Sequence, residues 1–109
     1  MIRIKFLRHS GCVHGIECSG HAGYAEEGHD IVCSAVSALT IALANGITEI
    51  AGIPADVSDD GKIFRCRIRE GLDAAKLHDA GILFGTFECA VRAIREEYPD
   101  YLKIYDTEV

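Results

Sequence analysis

Ile2-Arg3-Ile4-Lys5-Phe6-Leu7-Arg8-His9-Ser10-Gly11-Cys12-Val13-His14-Gly15-Ile16-Glu17-Cys18-Ser19 is the stretch whose reading decides the fold. Ile2, Ile4 and Phe6 alternate with Arg3, Lys5 and Leu7, the period of a strand with one buried face. Ser10-Gly11 supplies a turn, and Val13 to Ser19 reads as a second strand, the hairpin partner of the first. A hairpin implies antiparallel pairing, so the chain starts on an antiparallel sheet.

Downstream, Gly20 to His29 holds three glycines and no periodicity, and is expected to be a loop. Asp30 opens a helix in which Val32, Val36, Leu39, Leu43, Ile47 and Ile50 form one stripe at intervals of three and four. Gly52 and Pro54 stop it. Ala55 to Ser58 is a short strand candidate before an Asp59-Asp60-Gly61 turn. Phe64, Cys66 and Ile68 then alternate with Arg65, Arg67 and Arg69, a strand with one solvated basic face. Asp73 can cap a second helix, with Leu77, Ala80, Phe84, Phe87, Val91, Ile94 and Tyr98 on one side. Pro99 ends it, and Leu102 to Tyr105 makes a last strand. The order β-β-α-β-β-α-β predicts an α+β two-layer sandwich: a mostly antiparallel sheet with two helices packed on one face. Gly81 and Gly85, one helical turn apart, are expected to let the two helices approach closely.

The 109 residues make one domain, residues 1–109. Eleven Lys and Arg against seventeen Asp and Glu leave a net charge of −6. That balance speaks against a nucleic-acid binder and for a basic partner. With 49% hydrophobic residues and two prolines, the chain is neither disordered nor collagen-like. The N-terminus lacks the apolar run and cleavage site of a secretory signal. Ile31 to Ala51 is apolar but carries Ser34, Ser37, Thr40, Asn45, Thr48 and Glu49, and reads as a buried helix, so no membrane partner is expected. Five cysteines at irregular spacing do not form a disulfide framework, and point to a reduced, cytoplasmic protein.

Seven of the ten Cys and His residues fall within the first 33 positions. His9, Cys12, His14, Cys18 and His21 lack the close pairing of a structural zinc centre, so neither a metal nor a cofactor is expected. The chemistry concentrates between Gly20 and Cys33. With Asp30 as N-cap, Cys33 stands at the third helical position, where the helix dipole and free backbone N–H groups favour a thiolate and the Asp30 charge works the other way. An imidazole at His21, within reach of that thiol, would make the pair an activated nucleophile. The same N–H groups could cradle an oxyanion. Read without further information, Cys33 is also at home as a packed small hydrophobe and His21 as a turn residue. Ser34 and Ser37 read as helix-surface or packing residues.

The run Gly20-His21-Ala22, seven residues, then Asp30-Ile31-Val32-Cys33 through Val36-Ser37, closely resembles the ribosomal-processing cysteine protease (Prp) family. The helix ending Glu96-Glu97-Tyr98-Pro99 looks like that family's C-terminal helix, and the resemblance spans essentially the whole chain. It implies a homodimeric cysteine endopeptidase that removes the N-terminal extension of the large-subunit ribosomal protein twenty-seven. Carried over by position, Cys33 is the nucleophile, His21 the general base and Asp30 an orienting residue. The segment Ala22, Gly23, Tyr24, Ala25, Glu26, Glu27, Gly28 and His29 corresponds to a mobile active-site loop. Ser34 departs from the small apolar residue usual after the nucleophile. The competing reading is a non-catalytic dimeric module that binds a ribosomal protein during assembly.

Overall fold

The structure is a computed structural model that describes residues 1–26 and 30–109. Its elements run β1 (Ile2–His9), β2 (Cys12–Ser19), α1 (Ile31–Asn45), β3 (Ala55–Asp59), β4 (Ile63–Ile68), α2 (Ala74–Glu97) and β5 (Leu102–Glu108). The strands form one open sheet in the order β3-β4-β2-β1-β5. Three of the neighbouring pairs are antiparallel and β1 with β5 is parallel. The expected α+β sandwich is therefore present.

The β1–β2 turn is made by Ser10 (φ 52°) and Gly11 (φ 81°). Two consecutive left-handed residues give the turn whose twist matches a right-twisted hairpin, and Gly11 adopts it without steric cost. Farther along, the register steps: Leu7 faces Gly15 but Arg8 faces Val13, leaving His14 as the extra residue. Ile2, Ile4 and Phe6 are buried on one face of β1, where they meet Ile16 of β2, Cys66 of β4 and Leu102 of β5 in a single core. Val32, Val36 and Leu43 of α1 and Ala80, Phe84, Phe87 and Val91 of α2 close that core from the helix side. Phe6 and Phe87 meet edge to face, ring centroids 6.0 Å apart. Arg8 joins the layers at one end, bonding Glu88 of α2 and Asp106 of β5, each at 2.7 Å.

The structure differs from the sequence expectation in several places, and Leu77, expected on the inner side of α2, is 42% exposed. The stripe from Val32 to Ile50 is not one regular helix: α1 ends at Asn45, and Gly46–Ile50 is a wider π-type turn that still buries Ile47. Ile50, the last residue of the expected stripe, is turned out to 85% exposure, so the buried side ends at Ile47. The last strand runs to Glu108 instead of Tyr105, since pairing with β1 carries its polar end. Gly81 and Gly85 do not mark a close helix contact: a Cβ at either would meet no described atom within 4 Å. The close approach occurs at Gly46, where a Cβ would lie 3.1 Å from a Leu83 methyl.

Candidate active site

Asp30 organises the segment around Cys33. Its backbone is extended (φ −81°, ψ 103°), and its side chain caps α1 as the sequence suggested. Oδ1 accepts from the Val32 and Cys33 amides, both at 3.0 Å, while Oδ2 accepts from the Tyr24 amide at 3.0 Å. One buried carboxylate thus holds both the first turn of the helix and the loop that precedes it. The Cys33 amide, then the Tyr24 and Ala25 amides, hold its pKa below the ordinary carboxylate value despite an opposing push from burial.

A depressed folded-state pKa contributes stability that is present above the unfolded value, near 3.9, and lost as pH falls through the folded value. Asp30→Asn keeps one oxygen for the cap but presents an NH2 group to the Tyr24 amide. We expect this variant to melt at a lower temperature than the parent at neutral pH, and the gap to close on acidification below about pH 4. Thermal melts across pH check this. A gap constant with pH would show that the charge on Asp30 contributes nothing.

His21 reaches the site from the sheet. β2 ends at Ser19, and Gly20 turns the chain at φ +83°, tight against the Met1 carbonyl oxygen. No side chain fits between the end of β2 and the start of β1, so Gly20 is required there. His21 and Cys33 line the same cleft of about 380 Å³, together with Gly23, Ala25, Asp30, Ser34 and Ser37. Between them, the buried Ala22 donates its backbone N–H to Cys33 Sγ at 3.2 Å. Among the described residues no hydrogen bond joins the His21 ring to the thiol. A second hollow of about 170 Å³ shares His21, Cys33 and Ser37 and extends toward Cys18, Asp59, Lys62 and Phe64. The two make one groove passing over the sulfur.

The loop before α1 is fixed at two of its described residues. Ala22 is held by the sulfur, and the Tyr24 ring packs edge-on against Tyr98 and Tyr101, with centroids 5.4 and 5.2 Å away. Glu27, Gly28 and His29 of the expected loop lie outside the described residues. Sequence reading passed over Ser34 and Ser37 as surface or packing positions, yet both line the cleft. For Ser37 the spacing of four from Cys33 was the available signal, because residues four apart share a helical face. Asp59, Lys62, Tyr98 and Tyr101 join the surroundings only through tertiary contacts.

The crowd of cysteines and histidines is split along β2. His9 and His14 meet at a tilt of 54° at the hairpin end, ring centroids 5.5 Å apart, while Cys18 and His21 belong to the opposite end. Burial, with smaller contributions from Cys33 and Asp59, pushes the Cys18 thiol up to about 11. Burial does the same for Cys66, also to about 11. Both are neutral thiols near pH 7. Cys33 lines the groove, with the Ala22 N–H directed at its sulfur. Among the described residues, no three His, Cys, Asp or Glu side chains gather as a metal site.

Comparison with known proteins agrees in sequence and in shape. The sequence profile of the family described as Cysteine protease Prp matches residues 1–103. The ribosomal processing cysteine protease Prp of Bacillus subtilis (strain 168) is 30% identical over 107 residues, covering 95% of this chain and 96% of that protein. The protein of the same name from Staphylococcus aureus (strain Mu50 / ATCC 700699) is 29% identical over 96 residues, covering 86% and 87%. The crystal structure of an essential ribosomal processing protease Prp from S. aureus, in complex with a covalently linked product peptide, superposes with a TM-score of 0.86 at 27% identity. That match covers 98% of this chain and all of the other. SMU.848 from Streptococcus mutans gives a TM-score of 0.83 at 27% identity, covering 100% and 96%.

Proposed function

Because the chain belongs to the cysteine protease Prp family, we propose that residues 1–109 form an endopeptidase domain. Its substrate on this reading is the N-terminal extension of the large-subunit ribosomal protein twenty-seven, and its catalytic pair is Cys33 and His21. The observation that carries the reading is the groove itself: one continuous depression lined by both side chains, with the sulfur at the third position of a capped helix. The peptide held covalently by the S. aureus relative supports a thiol nucleophile in a groove of this shape.

In this mechanism His21 takes the thiol proton as Cys33 Sγ attacks the scissile carbonyl carbon, and the N-terminal amides of α1 steady the oxyanion. The C–N bond breaks as protonated His21 gives its proton to the leaving amine, producing a thioester. Water, losing a proton to His21, then cleaves the thioester and regenerates the thiol. The His21–Cys33 hydrogen bond forms when substrate fills the groove, since catalytic hydrogen bonds tighten in the bound complex. Asp30 orients the site through the Cys33 and Tyr24 amides, and the loop excludes water over the bound peptide. A thiol nucleophile works in a reducing compartment, which supports a cytoplasmic location.

The test is incubation of the purified protein with the extended ribosomal protein, with the products weighed by mass spectrometry. Release of the intact extension as one peptide is the expected result. Tight binding without any cleavage would instead favour a non-catalytic assembly module.

The proposal includes a homodimer. Ile41 of α1 and Ile82 of α2 are exposed, at 59% and 55%. Apolar surface of this kind suits a partner subunit. Sedimentation equilibrium showing only monomer at micromolar concentration would remove this part of the reading.

A further inference from the structure

The net charge of −6 conceals an uneven distribution. On the sheet face turned away from α1 and α2, the register sets Lys103, Arg3, Ser19 and Ile63 in one row. Tyr105, Lys5, Glu17 and Arg65 form the next row, and Gly15 and Arg67 continue into a third. Arg69 belongs to the same side, bonding Asp56 at 3.1 Å. Among the described residues, the strand register thus places six cationic side chains and two carboxylates, Glu17 and Asp56, on this face, with Asp60 near Arg65 and Glu70 beside Arg67 at its margins. The side chains set by the register carry a net +4, against −6 for the whole sequence. A sequence-wide sum hides this, which is why composition spoke against a polyanionic partner.

Both carboxylates are already engaged. Glu17 receives Lys5 at 3.7 Å and Arg65 at 3.0 Å, and Asp56 receives Arg69. Arg3, Arg67 and Lys103 have no ion-pair partner among the described residues. Beside them Tyr105, 41% exposed, borders a hollow of about 310 Å³ lined by Arg3, Lys5, Glu17, Ser19 and Ile63. Cations on such a grid stand about 5 Å apart across strands and ~7 Å apart along one. They can meet successive phosphates of a flexible strand while an aromatic ring takes the face of a base. An acidic peptide would use the cations and leave the ring unused, and a duplex offers no free base face.

We propose that this open sheet face binds single-stranded RNA. The choice of RNA over DNA rests on the ribosomal reading given above; the electrostatic argument does not. The face lies across the sheet from α1, which carries Cys33, and borders the groove at Ser19 alone among the residues lining its hollow, so RNA and a peptide substrate can be held together.

The test uses the full chain and labelled oligouridine, with fluorescence anisotropy followed at several salt concentrations. Each released counterion contact on a single strand contributes about −0.7 to the slope of log affinity against log salt. The three unpaired cations should together give about −2, with Lys5 and Arg65 adding to it. Arg3→Gln/Arg67→Gln/Lys103→Gln should reduce the magnitude of the slope by about 2. Tyr105→Ala should weaken binding about fivefold or more with little change in slope. Arg67→Gln alone, with a slope change of about 0.7, serves if the triple variant does not fold. Peptide cleavage should be unaltered in all three variants, which separates this face from the groove. Should the protease reading fail, RNA binding still reports on the face by itself. The proposal is overturned if the parent protein does not bind oligouridine at low salt or if the glutamine variants leave the slope unchanged. Equal competition by polyglutamate, or tighter binding of oligodeoxythymidine, also overturns it.

Discussion

Replacement of Cys33 by alanine is expected to reduce cleavage of the extended ribosomal protein to background while leaving the fold in place. The effect on rate is large because the covalent route disappears entirely. What remains is transition-state stabilisation by the helix N-terminus and substrate binding, which in a triad protease stripped of its nucleophile amounts to about 10³–10⁴-fold over water. The effect on stability is small because the thiol contributes little to packing. It is only partly buried, and the one described hydrogen bond made to it is the Ala22 amide at 3.2 Å. Loss of that acceptor costs on the order of 1 kcal/mol, well below the stability of a typical domain. His21→Ala should retain binding and lose about 10²–10⁴ in rate, the usual worth of a positioned acid–base group. Cleavage assays paired with circular dichroism read both quantities. Undiminished turnover by folded Cys33→Ala would falsify the dyad and leave the cysteine a packing role.

Phe84→Ala should have the largest effect on stability. Phe84 is fully buried on the inner side of α2, in the core that Ile4, Phe6 and Ile16 close from the sheet. Truncating a buried phenylalanine removes its transfer free energy and leaves a cavity that neighbours on both layers cannot fill, costing about 3–5 kcal/mol. At roughly 4–8 °C per kcal/mol for a chain of about this size, the melting temperature should fall by roughly 15 °C or more. His78→Ala, on the solvent side of the same helix, should change stability by no more than about 0.5 kcal/mol. A melt of Phe84→Ala within a few degrees of the parent would mean that the helix layer is not fixed by this ring.

The elements that could be read from sequence are those whose signals are local. Alternation in Ile2, Ile4 and Phe6, the Ser10-Gly11 turn and the caps Asp30 and Asp73 each act within a few residues, and each stands where expected. The family motif from Gly20 to Cys33 was equally legible, and the fold brings its ends to one groove. Other features depend on which surfaces meet. Gly81 and Gly85 have the spacing of a helix contact, yet the contact formed at Gly46, because the π-type turn brings that glycine against Leu83. The parallel pairing of β5 with β1 leaves no trace in either strand's pattern. The walls of the groove beyond the motif, Asp59 and Lys62, come from the β3–β4 turn, far away in sequence. Face-resolved charge was likewise invisible until the register placed Lys103 beside Arg3 and Arg65 beside Glu17.

That parallel pair sets the order in which the molecule can be completed as it is made. Strand β1 occupies an inner position in the sheet, with β2 on one side and β5 on the other, and Ile2 lies opposite Leu102. The hairpin partner emerges from synthesis at once, but the other edge of β1 stays open until residues near 102 are available. Closing so long a loop is entropically costly and comes late. The nascent polypeptide therefore carries Cys33 for most of its synthesis on an unfinished scaffold, and the groove is completed only after translation of the segment around Leu102.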